Sequence, residues 1–551
     1  MRCGRLYARL AFAAFCASYA GFAGSFLERG DRWILSGDSI TSTDIYRQIL
    51  QLAAEHYHPG ADIVIGNRGV WGQKLNEEKR LEEKTPPKIV STMIAMNSFI
   101  HREAGATQDY SHVVADHIKG LRGRIREWRG MGAQVLLMTP TVTDEREGGF
   151  FVTYNTRRGL EEVGAAIREL ANEEGCFLVP VAEDIAAYAQ TMGPMETFIP
   201  DGVHPYGYGQ YVIANAFIRR MDFSGDLGGG RRLKPCGKVE PLPFVCRTPY
   251  LNEGDKTLVF GTAGIRGRLR WSLWCDSLRM MTPDDCAAHC LGRGEAQLEG
   301  APEWRLTLNA ELQVGERARL MVDIVPEDGV SRLYCIDLAK NRVVPFTDGI
   351  ADGIVTAKSP RRNGAVVSRW RMREKGKELW FEGTNLCDGV SAGADGAWGN
   401  VFRHSGLQLL FDFRPGRRFA GVNPDRDAPM VLLSVRKEPE WSVMPFVWMG
   451  RRYQACLFAH AEPCKGGYSW RIGFRGNITD CEGFDISRID CFGLHMIVAD
   501  AEGDDVKRYA LQDYSPPDNP ERRMNQMTVF DRKGRFTGGA VTSVNFFAFR
   551  P

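Results

Sequence analysis

The sequence predicts an α/β three-layer domain followed by all-β sandwich domains. Three observations carry that expectation. Residues 32–222 alternate short apolar runs with helical periodicities, the pattern of a parallel sheet covered by helices. Past a glycine-rich stretch the pattern changes to short alternating strands separated by Gly, Pro and Asp turns. The length, 551 residues, also exceeds what one core holds at about 100–200 residues per domain. The expected order is a signal peptide at 1–23, the α/β domain at 24–223, a Gly-rich linker at 224–239, a β-rich domain at 240–355 and a β-sandwich at 356–551.

At the N-terminus, Arg2, Arg5 and Arg9 precede an apolar run from Leu10 to Ala23 that ends in small residues. That arrangement reads as a signal peptide. The run is shorter than the roughly 20 residues of a spanning helix, so a retained anchor is the weaker alternative. No membrane span is expected after cleavage. Removing Cys3 and Cys16 leaves an even number of cysteines, which suits an oxidising compartment and a secreted, periplasmic or extracellular chain. Only Cys176 precedes Cys236, so any bridges would staple the C-terminal half. Lys and Arg total 70 against 68 Asp and Glu, without a like-charge block, so no nucleic-acid partner is expected.

Strands are expected at Trp33–Leu35, Asp62–Ile65, Lys88–Ala95, Ala133–Thr139 and Cys176–Val181. One helix is marked by Val114, Ile118, Leu121, Ile125 and Trp128, stopping at Gly130 to Gly132. A second is marked by Leu160, Val163, Ile167 and Leu170, stopping at Gly175, and a closing helix runs from Gln210 to Met221. Next comes the glycine-rich run from Ser224 to Gly230, which lacks apolar periodicity. The long β half then calls for two sandwiches, with a boundary near Ser359 to Gly364.

The chemistry gathers at the ends of the first strands. Trp33-Ile-Leu-Ser-Gly-Asp-Ser39 places a hydroxyl where a sheet of this type collects its ligands. Serine attacks a carbonyl poorly unless a histidine takes its proton and a carboxylate orients that histidine. Asp201-Gly-Val-His204 supplies both; the spacing lets the carboxylate reach Nδ1 and leaves Nε2 facing Ser39. Oxyanion donors are available from the backbone at Gly72, in Asn67-Arg-Gly-Val-Trp-Gly72, and from the side chain of Asn97, in Ala95-Met-Asn97-Ser. Each has a plainer reading: a helix cap for Ser39, a loop histidine for His204, turn residues for Asn97 and Gly72. His112 and His117, off the register of a zinc pair, read as surface residues. No metal site and no cofactor is implied.

Together, in the order Ser, Gly, Asn, Asp-His over residues 32–222, these blocks resemble the SGNH hydrolases, also called the GDSL esterase family. The resemblance implies a flavodoxin-like α/β fold, Ser39, Asp201 and His204 as the catalytic triad, and an oxyanion hole of Ser39, Gly72 and Asn97. The third block departs from the family's Gly-x-Asn-Asp, since Ala95 and Ser98 replace the glycine and the aspartate. Further on, the strands Val366–Arg373, Glu378–Glu382, Gly406–Pro415, Gly467–Phe474 and Phe492–Asp500 resemble family 9 carbohydrate-binding modules. That likeness implies sugar stacking, with Trp398 and Trp470 as candidates against their alternative as core residues. Residues 240–355 carry no motif and would serve as spacer or packing.

The expected function is a secreted serine esterase, a carboxylic ester hydrolase that removes acetyl or other acyl groups from a polysaccharide. Its partner is then an acylated polysaccharide or another ester substrate. Alternatives are a lipase, arylesterase or acyltransferase on small esters, and a carbohydrate-binding or cell-surface protein whose hydrolase domain is catalytically impaired. The expected rate rises through an apparent pKa of roughly 6 to 7 as the histidine base deprotonates. A chain ended near Gly228 would keep its small-ester activity, because every site residue precedes that point.

Overall fold

The computed structural model describes residues 24–235, apart from 82–84, 101–108, 146–154, 193–194, 196–197, 200 and 206–207. Beyond these it describes 244–246, 256–275, 282–309, 317–346 except 328, 330 and 342, 349–356, 366–375, 378–386, 406–412, 430–436, 442–449, 457–475 except 466, 491–502, 505–510, 528–531 and 540–545. The expected signal peptide and Trp398 lie outside the described residues.

Five parallel strands, β1 (Arg32–Gly37), β2 (Val64–Gly69), β3 (Ile89–Met93), β4 (Gln134–Met138) and β5 (Phe177–Val179), form one sheet in the order β2-β1-β3-β4-β5. This is the flavodoxin-like order, with its topological switch beside β1. β2 lies later than its apolar run suggests. It is an edge strand, and its ladder with β1 carries on through Leu35↔Asn67, Ser36↔Arg68 and Gly37↔Gly69 whatever the side chains. The one-turn helices α1 (Ser39–Ser42) and α3 (Met96–Phe99) leave the ends of β1 and β3. Helices α4 (Ser111–Gly130) and α5 (Thr156–Glu174) pack on each other; α2 (Ile45–Tyr57) and α6 (Val181–Met192) pack against α7 (Tyr208–Arg220). His117, expected at the surface, is buried on α4 edge-on to Phe99, and that burial pushes its imidazole down to about 4. Among the described residues no helix is long and apolar enough to cross a membrane.

All thirteen residues of α2 are buried, including Arg47, Gln48, Gln51, Glu55 and His56. A helix covered on one face only would present these polar groups to water. Its second cover is the β-rich region. That region comprises β6 (Val245–Cys246), β7 (Thr257–Gly261), β8 (Arg266–Cys275), β9 (Cys290–Glu299), β10 (Glu303–Thr307), β11 (Arg317–Pro326) and β12 (Arg332–Asn341), with a short helix, α8 (Pro283–Ala288). His56 Nδ1 meets Ser272 Oγ on β8, Arg319 on β11 donates to Gln48 Oε1 at 3.5 Å, and Cys335 Sγ lies 3.6 Å from the Tyr211 hydroxyl. One continuous apolar core therefore runs from Phe26 of the α/β domain to Leu338 of β12. The segment expected as a linker is docked as far as Lys234, whose N–H donates to the Arg220 carbonyl and whose ammonium pairs with Asp222. Gly228 donates to the Leu27 carbonyl, Ser25 donates to the Asp226 carbonyl, and Arg231 pairs with Asp31 and Glu28. Glycine is used here for close backbone approach, Gly24 against Gly229, rather than for freedom.

The chain then enters a second sandwich made of two sheets. One holds β13 (Val343–Pro345), β17 (Gly406–Asp412), β18 (Met430–Arg436), β19 (Ser442–Met449), β22 (Cys491–Glu502), β23 (Asp505–Ala510) and β24 (Thr528–Asp531). The other runs in the order β14 (Ile350–Thr356), β15 (Val366–Lys375), β16 (Glu378–Leu386), β21 (Gly467–Arg475) and β20 (Leu457–Cys464). The boundary expected at 355/356 falls at the end of β14, whereas β12, ending at Asn341, and β13, beginning at Val343, already belong to different sheets. The last strand, β25 (Ala540–Asn545), returns to pair with β12, so the second sandwich is an insertion in the first. Local patterning reports alternation and turns; it does not report which distant strand supplies the hydrogen-bonding edge. Trp470, a candidate for sugar stacking, is 2% exposed, and its indole N–H donates to Asn385 Oδ1 at 2.9 Å inside the second core. It is a core residue because alternation along β21 turns it inward.

Candidate active site

β1 ends at Gly37 and the chain turns at once into α1. A Cβ on residue 37 would overlap Thr41 Oγ1 and approach the Met93 carbonyl to 2.9 Å, so the turn admits only glycine. Asp38 caps α1, its carboxylate accepting the Ile40 N–H at 3.0 Å. Ser39 is thereby presented in the crevice at the sheet's switch point.

Ser39 Oγ lies 2.9 Å from His204 Nε2, and His204 Nδ1 lies 2.8 Å from Asp201 Oδ2. The other Asp201 oxygen accepts the N–H groups of Val203 at 2.9 Å and His204 at 2.6 Å, which winds the Asp-x-x-His turn around its carboxylate. All three residues are buried. The carboxylate selects the tautomer with a proton on Nδ1, leaving Nε2 to accept from the serine hydroxyl. Burial alone would lower the His204 pKa; the charge and hydrogen bond of Asp201, and the charge of Asp38, outweigh it and hold the imidazole above its ordinary value. Asp38 is itself pushed up to about 6, chiefly by burial, against the lowering effects of the Ile40 and Met96 N–H groups and of His204.

Gly72 sits in the turn after β2 at φ +72°, a conformation that favours glycine. Asn97 lies on α3, and its amide donates to the Gln73 carbonyl at 3.0 Å. That bond ties the two expected oxyanion loops together and leaves the second amide hydrogen uncommitted by it. Ala95, where the family pattern has glycine, has φ −142°, which alanine adopts, so the altered block keeps its turn. The structure thus brings Ser39, Asp201 and His204 into contact and joins the Gly72 turn to Asn97. It removes Trp470 to a core, as described above.

Several residues of the site escaped the reading of the sequence. Asn67 donates to the Thr41 carbonyl at 2.8 Å and to Asp44 Oδ1 at 2.7 Å, and accepts from Gly69 N at 2.7 Å. Gln210 donates to the carbonyls of Ile40 at 3.2 Å and Pro205 at 2.9 Å, joining the serine turn to the histidine loop. No spacing rule marks a polar residue that acts on backbone. Val70 and Trp71 are 51% and 57% exposed, and the Trp71 ring lies 5.7 Å from that of His204. An indole left in solvent beside a buried histidine was readable only as part of the turn motif. Among the described residues no cluster of His, Cys, Asp or Glu could hold a metal ion. Cys176, Cys286, Cys290 and Cys464 are in no disulfide.

No family model matches the chain. An acetylxylan esterase of Geobacillus stearothermophilus is 26% identical over 171 residues, 30% of this chain and 75% of that protein. Over about a third of its length, the chain is homologous to an acetylxylan esterase. Among solved structures, Axe2, an acetylxylan esterase from Geobacillus stearothermophilus, is 23% identical, covering 36% of this chain and 96% of that one at a TM-score of 0.30. LAE5, an alpha/beta hydrolase enzyme from the metagenome of Lake Arreo, Spain, is 22% identical, covering 37% and 100% at a TM-score of 0.32.

Proposed function

We propose that this chain is a serine esterase of the SGNH/GDSL type that removes acetyl groups from a polysaccharide outside the cytoplasm. The observation that carries the reading is the hydrogen-bond chain Ser39–His204–Asp201 at the switch point of the sheet. Homology to an acetylxylan esterase supports the acetylated-polysaccharide class. His204 Nε2 takes the proton as Ser39 Oγ attacks the acetyl carbonyl, and the tetrahedral oxyanion accepts the backbone N–H groups of Ser39 and Gly72 and the free Asn97 amide hydrogen. Collapse breaks the bond to the sugar oxygen, which leaves as a hydroxyl with the proton from His204. Water then attacks the acetyl-Ser39 ester by the same steps and releases acetate. A binding-only reading draws on the altered Ala95-Met-Asn-Ser98 block; the φ of Ala95, −142°, speaks against the part of it that rests on the missing glycine. Acetate release from a panel of acetylated polysaccharides, with p-nitrophenyl acetate alongside, tests the proposal; hydrolysis of the small ester without release from any polymer would reject its substrate class.

Trp71 offers an apolar face for a sugar ring at the mouth of the site. Trp71→Ala is expected to lower kcat/KM on acetylated xylooligosaccharides about tenfold, and on p-nitrophenyl acetate by less than about twofold, with Trp71→Phe restoring most of the loss. Equal losses on both substrates would make Trp71 a support for His204 instead.

The pH profile follows from the same site. With the imidazole held above its ordinary value, kcat/KM should rise through an inflection above the ordinary histidine pKa of about 6.5. Asp38→Asn keeps a side chain able to cap α1 and removes a negative charge that stabilises the imidazolium. Its inflection should therefore move to lower pH. An unchanged or higher inflection would show that Asp38 exerts no field on His204.

A further inference from the structure

The sheet β14-β15-β16-β21-β20 buries one face in the second core, and its other face forms a groove of about 940 Å³. The outward positions can be read from the register: Arg369↔Thr384, Asp352↔Arg371↔Glu382↔Arg471 and Ile350↔Arg373↔Trp380. Three guanidiniums thus stand at alternate positions of β15, two residues apart and so roughly 6.8 Å from one another along the strand. Such a row repels itself unless its charges are answered.

The answer is incomplete. Arg371 alone faces carboxylates on both neighbouring strands, and its pair with Asp352 is long, 3.7 Å. Arg373 and Arg471 share the single carboxylate of Glu382, at 2.8 Å and 3.1 Å. Arg369 stands exposed beside Thr384 and has no ion partner among the described residues. The Arg471 guanidinium is held over the Trp380 indole, 5.0 Å from its centroid, and Phe458 packs edge-on to that indole at 4.7 Å. The groove therefore has a fixed aromatic floor at one end, and of its lining arginines Arg369 is the one without an ion partner among the described residues, while Glu462 at the β20 side pairs with His460 at 3.7 Å. A guanidinium fork matches a carboxylate in shape and charge, and an indole offers apolar surface to a sugar ring.

We infer that this groove binds a polysaccharide bearing carboxylate groups, a uronic-acid-containing chain, with Arg369 in the groove and Arg373, beside it opposite Trp380, taking its carboxylates. This deepens the polysaccharide reading above by assigning charge to the polymer. The sandwich would recognise acidic residues of the chain, while the Ser39 site acts on its acetyl groups.

The test uses the full chain, binding to polygalacturonate and to unsubstituted neutral xylan measured by titration calorimetry at low and moderate salt. Thermal midpoint, not esterase rate, reports folding, so failure here is separable from failure of the esterase reading. Polygalacturonate should bind more tightly than the neutral chain and weaken as salt rises. Arg369→Ala with Arg373→Ala should weaken it at least about tenfold at an unchanged midpoint. Glu382→Gln, which releases two guanidiniums from a competitor, should tighten it severalfold, an effect that a purely structural ion pair cannot give. Equal binding of the neutral polymer, or no effect of the arginine pair, overturns the inference. So does displacement of polygalacturonate by single-stranded DNA at equal charge concentration, since the face would then be a general polyanion site.

Discussion

Ser39→Ala is expected to lower kcat on p-nitrophenyl acetate by about 10⁴–10⁶-fold and to leave the thermal midpoint within about 2 °C. The hydroxyl bonds to His204 across the crevice, and its loss removes no apolar contact from the core of the α/β domain. His204→Ala should cost a similar factor, and the double variant should be no slower than the worse single one, because the two groups act as one unit. A phosphonate that labels the native protein covalently should leave Ser39→Ala unlabelled. Retention of more than a few per cent of the native rate by the purified variant excludes Ser39 as nucleophile.

Ending the chain after Pro235 is expected to abolish soluble, active protein, the reverse of what the position of the site residues alone suggests. Truncation strips α2 of its second cover and leaves the counterparts of Ser272 and Arg319, His56 and Gln48, facing water beside an opened apolar core. Each large apolar side chain re-exposed costs about 1.5–3 kcal/mol, so a handful cancels a total stability of roughly 5–15 kcal/mol. A different deletion should succeed. Asn341 and Ala540 are register partners on β12 and β25, so a short hairpin turn can replace residues 342–539 and remove the second sandwich whole. That shortened chain is expected to keep its small-ester rate and to lose polygalacturonate binding. Soluble, fully active protein from the Pro235 truncation would mean that the shared core contributes nothing to the α/β domain.

Much of this protein was legible in its sequence because the signals are local. The periodicities around Leu121, Ile125 and Leu160, Ile167 report a helix with one covered face, and α4 and α5 form there. Gly-Asp-Ser39 and Asp201-Gly-Val-His204 encode their own turns, a cap on Ile40 N and a carboxylate bonded to the Val203 and His204 N–H groups, so the three residues could be grouped before any fold was known. What the sequence could not decide was what lies across from each element. Helix α2 has an apolar face and a polar one, and the polar one is covered as well: Gln48 and His56 are matched by residues more than 200 positions away, and a covered polar face looks like a solvated one. Trp470 and Trp380 belong to neighbouring strands of one sheet, yet one is buried in the core and the other half-buried on the opposite face, since inward and outward alternate every residue and only the packed sheet fixes the phase. The return of β25 to β12, which makes one sandwich an insertion in the other, was likewise set by tertiary pairing: backbone N–H and C=O groups carry no record of sequence, so any edge can complete another until the assembled core holds one in place.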